Sequence, residues 1–361
     1  MGLPNIFIEF VKTAVASITV GSSGVVGVIL QDASTVVGGY AISDANAIPS
    51  DLSTANKRYL TEVFMGSPQK VYCYVVNSAA ETVSYDDAYK YLTLHRCNYI
   101  CGDPEITSAL RTSLVTWVKS KRSSGKQAPK AVVPGGTNAE DHEGIIDVKF
   151  VGGSTVKAGE TTYTAAQLCG RIAGILAGLP LTQSATYYAL SEITEIPDAT
   201  DEDVNTAIDN GFLTLYDTGS GIVIGRAVTS LKTVTQSKTA DLKKIKIVAI
   251  QDMITMDLTD TINQNYVGKY SNSYDNKCLL MAAIRGYFME LERRGYLMEG
   301  RSTIEINVDK QRIYLQSQGV DTSGMDDQAI KTANTGSHVF LKGSVGIHDA
   351  IEDVDIVITK E

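Results

Sequence analysis

Histidine, tryptophan and proline are scarce in this chain: four, one and eight copies in 361 residues. The shortage of histidine weighs most, because imidazole is the commonest side chain that titrates near neutrality and does acid–base work. His95, His142, His338 and His348 stand in no recognised catalytic pattern. No apolar run reaches the roughly 18 residues of a membrane-spanning helix. The most apolar stretch, 169–181, is shorter and carries Arg171, so no membrane insertion is expected. The opening, MGLPNIFIEF, has neither a basic segment nor a long apolar one, which predicts no secretory leader. Five cysteines, an odd count in a large chain, argue for reduced thiols and cytoplasmic synthesis over a disulfide framework. A net charge of −9 argues against nucleic acid as a partner. Tandem repeats and low-complexity tracts are absent as well.

Ligand motifs are equally thin. There is no P-loop. Gly219, Gly221 and Gly225 miss the dinucleotide fingerprint by one residue and fall in a hairpin pattern. His95, Cys97 and Cys101 offer three metal ligands, but structural zinc takes four and no fourth stands nearby; buried thiols at a helix–strand junction are expected. The basic run Lys119, Lys121, Arg122 and Lys126 reads as a solvated loop after a helix. Asp201, Glu202 and Asp203 suit the positive end of a helix dipole. No cofactor and no metal are expected. The weight moves from enzyme toward a structural or interaction protein, with an α/β hydrolase-like enzyme of unrecognised site as the competing reading.

What is present is a strand–helix alternation. Apolar runs at 25–30, 71–76, 99–101, 131–133 and 145–151 read as strands. Between them, 51–64, 85–95 and 106–118 carry helical spacing, and Gly66 with Pro68 stops the first. This predicts an α/β fold with a central, mostly parallel sheet. Residues 165–178 predict a helix whose Gly170, Gly174 and Gly178 allow close approach to the sheet. Thr200 with Asp203 forms a capping-box pattern, and DTGSG at 217–221 predicts a hairpin turn. The Lys-rich segment 232–244 marks a domain boundary. Beyond it come a helix through Leu280, Ile284, Tyr287, Phe288 and Leu291, a strand at 304–308, a helix at 309–317, and strands at 338–347 and 354–359. These make a C-terminal α+β domain.

Strand patterns at both ends need explanation. Ile6, Ile8 and Phe10 alternate at one end; Val354, Ile356 and Ile358 alternate at the other. A lone apolar strand is not stable in water, so each must join a sheet, either in its own domain or in another copy. Joining another copy at each end would build an open polymer. From the residues alone both readings stand.

Several stretches resemble the tail sheath proteins of contractile-tailed phages, in the short form of PBSX-type prophages and R-type bacteriocins. They are GVVGVIL at 24–30, SDLSTANKRYLTEVFMGSPQKVYCYVV at 50–76, INVDKQRIYLQSQGVD at 306–321 and GSHVFLKGSVGIHDAIEDVDIVITKE at 336–361. The terminal AIEDVDIVI is the most specific. The resemblance implies an N-terminal arm at 1–20, a central α/β domain at 21–235, a C-terminal handshake domain at 236–345 and a C-terminal arm strand at 346–361. It implies a helical homopolymer of stacked hexameric rings around a tail tube protein, closed by baseplate and terminator proteins. Synthesis in the bacterial cytoplasm and assembly into a tail-like particle go with it. Ile6, Ile8 and Phe10, with Val354, Ile356 and Ile358, would be the strands shared between subunits, and residues 11–24 and 343–350 their flexible roots. Arg285, Arg293 and Arg294 could face an acidic tube, or form the charged outer face of an ordinary core helix. No G-x-S-x-G elbow is present, so no protease activity is inferred.

Overall fold

The run VVGVIL predicts a strand buried on both faces, and the computed structural model, which describes residues 18–21, 24–125, 127–236 and 238–359, places it at the centre of a sheet. In chain order the elements are β1 (Val25–Asp32), β2 (Gly38–Ile42), α1 (Thr54–Phe64), β3 (Lys70–Asn77), α2 (Asp86–His95), β4 (Tyr99–Cys101), α3 (Ser108–Ser123), β5 (Lys130–Pro134) and β6 (Ile145–Val148). Then come β7 (Thr155–Ala158), β8 (Thr161–Thr164), α4 (Ala165–Gly178), α5 (Asp201–Asp209), β9 (Phe212–Leu213), β10 (Leu215–Asp217) and β11 (Ile222–Ile224). The seven-stranded sheet runs β2-β3-β1-β4-β5-β6-β9, with β2 antiparallel to β3 and every other pairing parallel. Val28 of β1 sits in register with Cys73 on one side and Cys101 on the other.

The pleat sorts β1 into two cores. Val26, Val28 and Leu30 face Leu60 and Val63 of α1 and Ile172 and Ile175 of α4. Ile29 faces the opposite layer, with Leu92 of α2 and Leu114 and Val118 of α3. Helix starts follow the local signals. Ser53 and Thr107 accept the third amide of α1 and α3, while Thr164–Gln167 and Thr200–Asp203 complete capping boxes on α4 and α5. The DTGSG hairpin joins β10 to β11.

Two expectations need correction. The glycines of α4 approach α1 rather than the sheet. A Cβ on Gly174 would stand 2.0 Å from the Val63 carbonyl oxygen, and one on Gly178 1.8 Å from that of Gly66. Lys119, Lys121 and Arg122 are not loop residues but the last turns of α3, where Lys119 and Arg122 are ion-paired to Glu140 and Asp252; Lys126 lies outside the described residues. Residues 354–359 pair with no other segment among the described residues, which leaves open the strand expected between copies. Five elements escaped the sequence reading: the edge strand β2, the paired strands β7 and β8, the short helix α9 (Asp327–Thr332), and α6 (Ile245–Asn265), nine of whose 21 residues are β-branched.

The remaining elements are α7 (Tyr274–Arg293), β12 (Thr303–Ile306), α8 (Val308–Ser317), α9 (Asp327–Thr332) and β13 (Leu341–Ser344). Contacts divide the chain at Met256–Asp257, within α6 and beyond the 232–244 stretch. One compact unit is 21–256 with 348–361; the other holds 257–347 with residues 18–20. In the second unit Leu280, Ile284, Tyr287, Phe288 and Leu291 of α7 are buried, and β12 pairs antiparallel with β13. Tyr287 donates to Asp257 at 2.7 Å.

Candidate interaction site at the C-terminal arm

The segment 349–353 crosses a polar cradle built from three distant pieces of the central unit. The turn after α4 supplies the hydroxyls of Ser184 and Thr186, the strand end after β11 supplies Arg226, and Lys244 precedes α6. Glu352 Oε1 accepts from Thr186 at 2.7 Å and Ser184 at 3.1 Å. Ala227 N–H donates to the same Thr186 oxygen at 3.0 Å, which orients the hydroxyl. The second oxygen, Oε2, lies 3.6 Å from Lys244 Nζ and 3.9 Å from Arg226 Nε. Arg226 also holds Asp353 at 2.6 Å, and Lys244 binds Asp349. Burial opposes the charge on Asp349, but the Lys244 bond outweighs it and holds its pKa below the usual carboxylate range. Lys244 responds in kind: burial lowers, Asp349 and Glu352 raise, and the net is upward.

Immediately beyond the cradle the character inverts. Val354, Ile356 and Ile358 are 68%, 73% and 88% exposed, and Val357 is exposed too. Within the described residues their backbone has no strand partner. Large apolar side chains in such a row are unusual on a folded surface. Ile6, Ile8 and Phe10 lie outside the described residues.

The expected flexible root at 343–350 is instead held. Gly343 pairs with Ile304, the Gly346 carbonyl accepts from Met298 N–H at 2.7 Å, and Ile347 bridges to Leu297. Nothing in the sequence announces Ser184, Thr186, Arg226 or Lys244, since each meets the arm across more than a hundred residues. The only signal is the acidic trio Asp349, Glu352 and Asp353 just before an apolar run.

Arg285 and Arg293 of α7 and Arg294, the residue just past its end, are all exposed. Arg285 donates to the Ile304 carbonyl at 3.1 Å, while Arg293 and Arg294 both bind Glu290, at 2.8 and 2.7 Å. Glu290 is held low, to about 2, by those two hydrogen bonds.

Catalytic alternatives find no geometry among the described residues. Ser230 and His142 are neighbours, but through main-chain atoms: His142 N–H donates to Ser230 Oγ at 3.2 Å and Ser230 donates to the His142 carbonyl at 3.0 Å. The imidazole Nδ1 accepts from Gly144 N–H at 2.9 Å, leaving no nucleophile–base pair. His95 stacks on Tyr72 with ring centroids 4.0 Å apart. Cys97 and Cys101 are buried, and burial raises both thiols to about 12, so they stay protonated. Doubly wound sheets hold ligands where the strand order reverses, here between the carboxyl ends of β1 and β4. That crevice is a cavity of about 350 Å³ lined by Gln31, Asn56, Tyr59, Asp103 and Glu105, in whose wall Asn56 Nδ2 donates to the Gln31 carbonyl and Asp32, each at 2.8 Å. No group of three His, Cys, Asp or Glu is arranged to hold a metal among the described residues.

Comparison with known proteins agrees with the fold. Residues 78–230 match the phage tail sheath protein central domain, and 237–358 the phage tail sheath C-terminal domain. The tail sheath protein of Clostridium phage phiCD119 is 33% identical, with 98% of each chain covered. The helical sheath of the anti-feeding prophage in its contracted state superposes with a TM-score of 0.71 at 11% identity, covering 100% of both chains. A sheath tail protein from Desulfitobacterium hafniense superposes with a TM-score of 0.68 at 16% identity, covering 84% of this chain and 94% of its own.

Proposed function

The chain belongs to the phage tail sheath family, structural proteins of contractile injection systems and not an enzyme family, and from that premise we propose that it polymerises helically around a tail tube and shortens to drive the tube through a cell envelope. Subunits join by strand addition: residues 354–359 of one copy enter a sheet of a neighbour, and residues 6–10 enter another. One observation carries this reading. Val354, Ile356, Val357 and Ile358 stand exposed on a backbone with no strand partner among the described residues. A strand of that composition is stable only inside a sheet, and among the described residues the two-stranded sheet β12–β13 has no further strand on either edge.

Contraction needs no nucleotide. Subunits in two lattices differ in free energy, and a small release per copy sums over the polymer. The partners are further copies of the chain, the tube protein, and baseplate and terminator proteins. Arg285, Arg293 and Arg294 are the proposed tube-facing set, with Glu290 neutralising part of their charge.

Negative-stain microscopy tests the reading on the full chain beside variants lacking residues 1–20 or 354–361. Rods from the full chain and none from either truncation are expected. Rods from both truncations would remove the arms from the mechanism.

A further inference from the structure

Residues 349–353 are packed inside out. Ile351 is 90% exposed as a residue, while the neighbouring Glu352 side chain is 5% exposed. Hydrophobic burial would turn the segment the other way, placing isoleucine inward and the carboxylate in water. Ionic and hydrogen-bonding contacts therefore hold it. They come from Thr186 and Ser184 to Glu352, Arg226 to Asp353, and Lys244 to Asp349.

We propose that residues 349–353 are an ionic clasp that fixes the root of the C-terminal arm on the central unit. The clasp rests on the arm reading given above for its purpose, though not for its existence. It moves the swivel point of the arm from 343–350 to Asp353–Val354. Tension applied by a neighbour to residues 354–359 is taken up by Arg226, Lys244 and the 184–186 turn. It is not passed back along the chain to β13. The inverted packing has a second effect. By spending charge rather than apolar surface on its anchorage, the chain leaves Ile351, Val354, Ile356 and Ile358 available for a partner sheet. A clasp of charges also depends on both signs being present. It weakens with ionic strength at its exposed member, Asp353, which is 81% exposed, and much less at the enclosed Glu352.

A glutamate-specific protease reads the clasp directly, because cleavage after Glu352 requires that side chain to leave the cradle. In the unassembled full chain, cleavage there should be slow although the flanking residues are exposed. The double variant Arg226→Gln, Lys244→Gln keeps Glu352 but removes both cations. It should be cut at that bond about ten-fold faster or more, in proportion to the released population. Unchanged resistance at other glutamates, and an unchanged thermal midpoint, identify the effect as local. Asp349→Asn should fall between the two. Equal cleavage at Glu352 in the wild type and the double variant would falsify the clasp. Assembly by the 354–361 truncation bears on the arm alone, so either idea can fail without the other.

Discussion

Arg122 of α3 grips Asp252 of α6 as a fork grips a carboxylate, Nη1 to Oδ2 at 2.8 Å and Nη2 to Oδ1 at 2.9 Å. Lys130, 2% exposed, adds a third bond to Oδ2 at 2.8 Å. Burial pushes the Lys130 pKa down, and the attraction of Asp252 opposes that shift. Asp252→Ala would leave the enclosed Lys130 without its anion and Arg122 with only Glu143, 3.9 Å away. The expected loss is about 3–5 kcal/mol of unfolding free energy, measured by urea denaturation. A loss under about 1 kcal/mol would mean that water reaches the site and solvates both cations.

Close approach of α4 to α1 makes a second stability prediction. A methyl group at Gly174 or Gly178 would overlap backbone of the facing segment, which cannot rotate away as a side chain could. Gly174→Ala should cost about 1–3 kcal/mol or more. Gly286 in α7 is the control, since its Cβ would meet nothing within 4 Å. There alanine should stabilise by about 0.5–1 kcal/mol through helix propensity. Thermal melts of both variants check the opposite signs.

His142 makes folding sensitive to acid. Burial lowers its pKa to about 4, helped by Lys238, Arg122 and Lys119 and opposed by Glu143. Its folded value lies below its unfolded value of about 6.5. Unfolded chains therefore take up a proton in a range where folded ones do not. The stability from the neutral ring is complete above about pH 6.5 and is lost as pH falls toward about 4, by ~3 kcal/mol in all. His142→Asn keeps an acceptor for the Gly144 amide and removes the titration. Unfolding free energies from about pH 7 to about pH 4 should shift in the variant's favour by that amount. Parallel curves for the two proteins would place the ring in water.

Ile356 separates backbone pairing from folding. Proline there removes one amide donor and fixes φ, which a strand interior does not tolerate. Because Ile356 is 73% exposed, Ile356→Pro should leave the monomer's melting temperature unchanged. Rod yield should nevertheless collapse, whereas Ile356→Thr, which keeps the amide and the β-branch, should retain rods. Equal yields from the two variants would point to side-chain contacts in place of strand addition.

What the sequence determined by itself is local. Ser53, Thr107, Thr164 and Thr200 start helices because a side-chain oxygen reaches an amide two or three residues away. The apolar runs of β1, β3 and β5 declare strands covered on both faces, and DTGSG declares its hairpin. The resemblance through 24–30, 50–76, 306–321 and 336–361 reached the family for the same reason, since it is carried by contiguous residues. The helix α6 was illegible because its β-branched residues suit strand and helix alike, and packing decides between them. Tertiary structure alone decided that the α4 glycines meet α1, that Arg122 is half of a buried ion pair, and that Glu352 turns inward beside Lys244 and Arg226. Those are meetings between residues far apart in the chain. Coulomb energy and close packing depend on separation in space, and only the completed topology sets that separation.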